Sequence, residues 1–181
     1  MKPTETLRAE HEGIKQILSV LERMCDQLEA GKKVEAAHFE AIVEFFQIFT
    51  DKCHHGKEED HLFPALVAAG IPNEGGPVGV MLMEHTMGRD LVKGIGEAVK
   101  QYKEAGDGAL GVLVGKSREY IALLRQHIEK ENNILFRMAE MMLPVSKQEE
   151  LAVAFEKLEI ERIGPGRHEA FHQLLDNLSE L

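Results

Sequence analysis

His127-Ile-Glu-Lys-Glu131-Asn-Asn-Ile-Leu135-Phe136 is the stretch that decides the fold, because the chain contains it twice. The earlier copy is His54-His-Gly-Lys-Glu58-Glu-Asp-His-Leu62-Phe63, in which His, Lys, Glu, Leu and Phe recur at the same offsets. A Glu-His pair precedes each copy by a similar interval, Glu10-His11 in the first half and Glu84-His85 in the second. The sequence is therefore organised as two halves, each with a Glu-His segment followed by a His-x-x-x-Glu segment.

Apolar residues recur at helical spacing through both halves, and no stretch alternates as a β-strand does. This pattern predicts helices over about residues 4–30, 35–69, 80–104, 110–143, 146–161 and 168–178, with Thr4 capping the first and a Ser146–Glu149 capping box opening the fifth. The connections are too short for crossovers. The sequence therefore predicts an all-α fold, an up-down-up-down four-helix bundle over residues 1–143 with an additional C-terminal helical extension, residues 144–181, packed on the bundle.

Composition narrows the class of protein. The 181 residues carry a formal net charge of −10, which opposes binding to a phosphate backbone, so nucleic acid is not an expected partner. No apolar run is long enough to span a membrane, and the N-terminal residues lack a secretion signal, so a cytoplasmic location is expected. Cys25 and Cys53 lie inside helical patterns and are expected to be buried reduced thiols.

The spacing of His and Glu carries the chemistry. Residues four apart lie on the same face of a helix, so a His-x-x-x-Glu pair can direct both side chains at one point. Two such pairs and two single His, brought to one depth in a bundle core, predict a metal site with the ligands His11, His54, Glu58, His85, His127 and Glu131. Imidazole and carboxylate suit iron, manganese or zinc, and two bridging Glu favour a dinuclear centre.

One ambiguity of register stays open, because His55 and Glu59 are also four apart. A helical wheel drawn from the preceding aromatic residues favours the 55/59 pair, whereas the internal repeat favours the 54/58 pair. A π-bulge near Lys52 would reconcile the two, and we expect 54/58 to be the main pair. His55 is then a candidate extra ligand to the second metal; in the alternative, His55 and Glu59 face solvent.

The HHxKEExxLFP and HxxKENNxLF segments, with the two single His, resemble the hemerythrin-like family, the HHE cation-binding domains, over about residues 4–143. The resemblance implies two non-haem iron ions that cycle between Fe2+ and Fe3+, with an oxo or hydroxo bridge as one option. It implies both Glu as bridges and the six ligands named above. Oxygen-carrying hemerythrins have two His one turn apart on the third helix, whereas this chain has His85 alone, so either His55 or water must complete the shell.

The predicted function is the binding of O2, NO or peroxide. We therefore expect a metal- and oxygen-binding protein rather than a dedicated enzyme. The alternatives are a di-iron oxidase or catalase-like peroxidase, and an iron- or redox-sensing regulatory module.

Lys57 and Lys130 are expected to form solvated ion pairs. His168 and His172 are expected either to cap the bundle or to add a ligand. The apolar walls of the site are predicted to be Phe49, Leu62, Leu124, Ile134 and Leu135.

Overall fold

The computed structural model describes residues 1–180, which are helical apart from short turns and contain no strand. Four rods form the bundle. The first rod is α1 (Pro3–Glu29), and the third is α4 (Pro77–Ala105). The second rod joins α2 (Ala36–Phe45), two π-helical segments (Phe46–His55 and Glu58–Leu62) and α3 (Phe63–Ala68). After a 3₁₀ turn (Gly106–Ala109), the fourth rod joins α5 (Leu110–Lys130), a π-helical segment (Glu131–Leu135) and α6 (Phe136–Met142).

Consecutive rods are connected by short turns, and the predicted up-down-up-down bundle is confirmed. In the bundle, α4 packs on both α2 and α5, and α1 packs on α5. Gly31 and Gly106 follow α1 and α4 with φ angles of 77° and 67°. A side chain at either position would be strained, so glycine is what lets the chain leave these helices.

The core of the bundle consists of two apolar clusters with a polar layer between them. Along α1, Leu7 belongs to one cluster and Ile14 to the other, and His11 lies between them. The second rod repeats this order in reverse, with Cys53 in one cluster and Leu62 in the other. Every rod therefore contributes its His and Glu residues at the same depth of the bundle.

Two further helices, α7 (Val145–Arg162) and α8 (Arg167–Ser179), follow the bundle and pack against α1 and the second rod. Together they extend both apolar clusters: Leu151 and Phe155 join the cluster that contains Leu7, and Leu158, Phe171, Leu175 and Leu178 join the other. A boundary between two domains at Leu143 and Pro144 stays a prediction. None of the helices within residues 1–180 has both the length and the apolar composition that crossing a bilayer requires.

Both predicted helix caps are wrong. Helix α1 begins after Lys2, and Thr4 lies inside it, where the hydroxyl donates to Glu140 Oε1 of α6 at 2.7 Å. Helix α7 begins at Val145, directly after Pro144, so Ser146 already lies inside the helix and does not cap it. Proline fixes φ and restricts the chain at this point, so it ends the fourth rod and starts α7 without a side-chain cap.

Candidate metal centre

All seven predicted ligands lie in the polar layer, and each is at most 4% exposed. Their ligand atoms form two groups, within each of which all atoms lie within 4.8 Å of one another. The first group is His11, His54, Glu58 and Glu131, and the second is His55, Glu58, His85 and His127. Because Glu58 belongs to both, the two groups are adjacent and share a carboxylate.

The second rod presents two consecutive histidines to the same layer because it is not an α-helix there. Residues Phe46–His55 form a π-helix, whose i→i+5 hydrogen bonds widen the turn and shift the register of everything that follows. This segment spans Lys52, where the sequence predicts a bulge. His54 and His55 are both buried as a result, and neither faces solvent. Glu58 lies in the layer, whereas Glu59 lies outside both groups.

The two buried glutamates each span both groups. Glu58 directs Oε1 at His54 Nε2, 3.4 Å away, and Oε2 at His85 Nε2, 3.3 Å away. Glu131 likewise directs Oε2 at His11 Nε2, 3.1 Å away, and Oε1 at His127 Nε2, 3.0 Å away. Each carboxylate therefore offers one oxygen to either side of the layer, as a bridging ligand does.

Both carboxylates are fully buried, and within residues 1–180 none of their four oxygens accepts a hydrogen bond of acceptable geometry. Burying a charged carboxylate without partners costs several kcal/mol, about as much as an unpaired buried ion. Imidazole nitrogens surround these oxygens, and His85 Nε2 lies only 3.1 Å from His127 Nε2. Nitrogen and oxygen atoms that converge in this way can bind cations between them, and the donor set therefore fits metal ions.

Each of the five histidines has an oxygen beside its Nδ1 atom, so that Nε2 is the nitrogen that faces the layer. Such contacts fix the tautomer and the ring orientation of a metal-ligating histidine. The oxygens belong to a carboxylate or an amide from a neighbouring turn or rod. The pairs are His11–Asn132 at 2.8 Å, His127–Glu84 at 2.8 Å, His85–Glu59 at 3.1 Å, His55–Asp51 at 3.4 Å and His54–Glu10 at 3.6 Å.

The internal repeat extends to these outer contacts. Glu10 faces His54 and also accepts from Lys57, and at the equivalent positions Glu84 faces His127 and accepts from Lys130. The residue after the Glu of each motif, Glu59 or Asn132, contacts the single histidine of the opposite half, His85 or His11. The two halves thus have the same set of outer contacts. His55 is the exception to the repeat, because the equivalent residue of the second half is Ile128.

The charges around the layer set the protonation of its histidines. Burial lowers the pKa of His55 well below its usual value, and the neighbouring His85 and His54 lower it further. Burial also opposes the charged form of His127, but the carboxylates of Glu131 and Glu84 raise its pKa to about 9. His55 is therefore a neutral ring whose lone pair is free to bind a cation.

Several neighbouring residues differ from the sequence-based expectations. Lys57 is 1% exposed rather than solvated, and Ile134 is 53% exposed rather than part of the wall. Lys130, whose side chain is 40% exposed, is the solvated pair that was predicted. His168 and His172 contact each other edge-on near the surface and belong to neither group; His168 also lies 3.3 Å from Glu159.

The outer contacts through Glu10, Glu84 and Lys57 were not predicted. The signal was present, since the Glu of each Glu-His pair and the Lys of each motif recur at the same offsets. A helical wheel turns Lys57 toward solvent only if the second rod is α-helical throughout. Because the segment before Lys57 is π-helical, the wheel gives the wrong direction for this side chain.

Fold and site together define a helical-bundle metal-binding protein. The family model of the hemerythrin HHE cation binding domain matches residues 2–139, and the chain belongs to this family. Similar proteins are the uncharacterized protein Rv1995 of Mycobacterium tuberculosis (strain H37Rv) and the uncharacterized protein Mb2018 of Mycobacterium bovis. Each is 23% identical over 177 residues, covering 98% of this chain and 68% of the relative. No solved structure matches the chain at a significant level.

Proposed function

We propose that the polar layer binds two non-haem iron ions and that these bind O2, NO or peroxide. The observation that carries the proposal is the position of Glu58 and Glu131, each with one oxygen toward either set of histidines. Carboxylates in this arrangement can share their oxygens between two cations, as in other bundle proteins with two metals. His11 and His54 would hold one ion, and His55, His85 and His127 the other.

Iron is proposed because of the donor set. Five imidazoles and two carboxylates are available, and neither cysteine belongs to the two groups. Nitrogen and oxygen donors of this kind suit first-row metals such as iron, and the buried carboxylates would balance the higher charge of the oxidised ion. When bound, the pair of ions would supply exchange of electrons with a small oxidant at a protected position.

The surroundings of His55 support a small ligand. A cavity of about 90 Å³ lies beside His55 and is lined by Gly88, Arg89 and Tyr120 among others. Since a water molecule occupies about 30 Å³ in the liquid, this cavity has room for only a few water-sized groups beside the His55 ring. O2, NO and peroxide fit such a space.

The side chains of the layer have separate tasks in this proposal. Asp51 and Glu59 orient His55 and His85 through their Nδ1 atoms. Phe63 stacks on the ring of His85, 5.7 Å between ring centroids, and excludes water from that side. Tyr120 is buried at the end of the small cavity, and burial raises the pKa of its phenol, which therefore stays protonated.

A second function, a metal-dependent regulatory module, is favoured by a contact between the C-terminal helices and the layer. Glu159 of α7 accepts from Lys57 at 3.3 Å, and Lys57 in turn holds Glu10 beside His54. Metal loading would then change the packing of α7. Equal protease sensitivity beyond Pro144 with and without metal would exclude this function.

The experiment that tests the main proposal is anaerobic loading with ferrous iron, followed by optical spectra under air, after reduction, and after addition of NO or peroxide. We expect a charge-transfer band under air that vanishes on reduction and changes with NO or peroxide. Sustained decomposition of peroxide would instead favour the catalase-like alternative. A loaded protein whose spectrum responds to none of these additions would contradict small-ligand binding.

A further inference from the structure

A second cavity, of about 330 Å³, lies on the other side of the polar layer, between the bundle and the two C-terminal helices. Its walls come from α1, the second rod, α7 and α8. Neither the metal ligands nor the small cavity beside His55 belongs to it. Its volume is at the lower end of the range found for small-molecule binding sites.

The body of this cavity is an aromatic enclosure. Phe45 stacks on Phe49 with 4.9 Å between ring centroids, and Phe171 of α8 meets both rings edge-on, at 5.4 and 5.8 Å. Gly13 and Leu175 complete the apolar walls. Rings fixed against one another in this way form a rigid apolar wall against which an aromatic molecule can pack.

The polar end of the cavity at Lys57, Glu10 and Glu159 accepts hydrogen bonds rather than donating them. Thr6, His168 and His172, which are more exposed than Lys57 and Glu10, also line the cavity. The buried Lys57 ammonium directs its hydrogens at both oxygens of Glu10, at 2.9 and 3.0 Å, and at Glu159 Oε2, at 3.3 Å. Its three donors are therefore used. One lysine against two glutamates leaves this end with a formal charge of −1 when His168 and His172 are neutral. Free lone pairs and negative charge favour a ligand that donates a hydrogen bond and disfavour an anion.

We propose that this cavity binds a small aromatic molecule with a hydrogen-bond-donating head group, an amine or a hydroxyl. The aromatic part of the ligand packs against the wall formed by Phe45, Phe49 and Phe171, and the head group donates to Glu159 or Glu10. Because Glu10 also faces His54, the head group lies one residue away from a predicted metal ligand. The site does not depend on the identity of the metal or on what the metal binds.

Two fluorescent probes with the same anilinonaphthalene skeleton test the proposal on the full chain. N-Phenyl-1-naphthylamine carries one N–H donor and no charge, and 8-anilinonaphthalene-1-sulfonate adds an anionic group. We expect saturable binding of the neutral probe at one site per chain, with the sulfonate weaker by about ten-fold or more because it meets a negative end. Absence of saturable binding, or tighter binding of the sulfonate, would overturn the proposal.

Substitutions locate the probe. A Cβ at Gly13 would lie 3.8 Å from Leu175 Cδ1, an ordinary contact, so Gly13→Leu is expected to fold and to fill the cavity. Gly115→Leu is the matched control, because Gly115 is also helical and has nothing within 4 Å of its Cβ position. Gly13→Leu should weaken the neutral probe by about ten-fold or more, and Gly115→Leu should not.

Ala9→Leu, one turn from Gly13 and exposed, is a second blocking variant should Gly13→Leu fail to fold. Metal content, measured in the same samples, is expected to stay unchanged in both blocking variants. Loss of metal without loss of probe binding would count against the proposed function alone. Unchanged probe binding in folded blocking variants would show that the probe binds elsewhere and would refute the cavity as its site.

Discussion

Lys57 Nζ lies 2.9 Å from Glu10 Oε1 inside the protein, whereas in the equivalent pair of the second half the Lys130 side chain is 40% exposed, although Glu84 is as buried as Glu10. In both halves the glutamate also faces the His of a His-x-x-x-Glu motif. The same contact is therefore used twice, and only the first copy is covered by the C-terminal helices. The coverage comes from α7, whose Glu159 reaches Lys57.

Because of this difference, we expect replacement of the lysine by methionine to destabilise the protein more in the first half than in the second. Lys57→Met leaves Glu10 buried without its cation, and we expect it to lower the free energy of unfolding by about 3 kcal/mol. Lys130→Met removes a cation that is 40% exposed, so that water reaches its position beside Glu84, and we expect a loss below about 1 kcal/mol. Urea denaturation of the two variants measures both. Equal losses would show that Lys57 is not held in a buried pair.

The composition of the two ligand groups predicts unequal effects on metal content. His55 belongs to the second group only. We expect His55→Ala to reduce the metal content from about two ions per chain to about one, because the first group keeps all its donors. His168→Ala serves as the control and should keep the full content, since His168 lies outside both groups. A full complement of metal in His55→Ala would remove His55 from the ligand set.

We predict that the size of the small cavity beside His55 limits the access of a small ligand to the polar layer. Gly88 lines it, and a Cβ at Gly88 would lie 3.5 Å from Tyr120 Cε2, so a larger side chain there fills the cavity. Gly88→Val should slow the reaction of the iron-loaded protein with NO or peroxide by about ten-fold, at unchanged metal content.

The matched control for this prediction is Gly96→Val on the same helix. Its Cβ would lie 3.6 Å from Val43 Cγ1, and it does not line the small cavity. Stopped-flow spectroscopy should therefore give the rate of the unaltered protein. If Gly88→Val reacts as fast as Gly96→Val, the ligand reaches the metal layer by another path.

Burial of Cys25 predicts a loss of stability at alkaline pH. The thiol is buried, and burial raises its pKa from 9.0 to about 11. Below pH 9 the thiol is protonated in both states. Between the two values only the unfolded chain releases the proton, so the free energy of unfolding falls by up to about 1.4 kcal/mol per pH unit.

Denaturation at a series of pH values compares the unaltered protein with Cys25→Ala. The variant is expected to start from a lower stability, because a small cavity replaces the sulfur, and to show a shallower slope above pH 9. Other groups titrate equally in both proteins, so the difference between the slopes isolates the thiol. Identical slopes would contradict the raised pKa.

Helical spacing and the repeat were sufficient to predict the bundle and the depth at which its polar residues meet. The positions of Leu7, His11 and Ile14 on one face follow from the α-helical period alone. The α-helical period alone does not contain a change of period. The conflict between the helical wheel and the repeat indicated a bulge near Lys52, but not its extent over Phe46–His55, which turns two consecutive histidines inward. It also gave no sign of the similar segments that begin at Glu58 and Glu131.

The remaining errors have two origins, long-range packing and a local change of helix type. Lys57 seemed solvated because its neighbours in sequence are charged, and nothing local shows that α7 covers it. Ile134 lies in the π-helical segment after Glu131 and is exposed, although an α-helical wheel turns it inward. Long-range packing and local changes of helix type are set by the whole fold, and a short window of sequence does not contain them.

The most direct measurement of the central claim is the number of iron ions per chain, determined after anaerobic loading, for the unaltered protein, Glu58→Ala and Glu131→Ala. Since each carboxylate spans both groups, the account predicts about two ions in the unaltered protein and less than about one in either variant. Two ions retained in both variants would contradict a centre bridged by these glutamates.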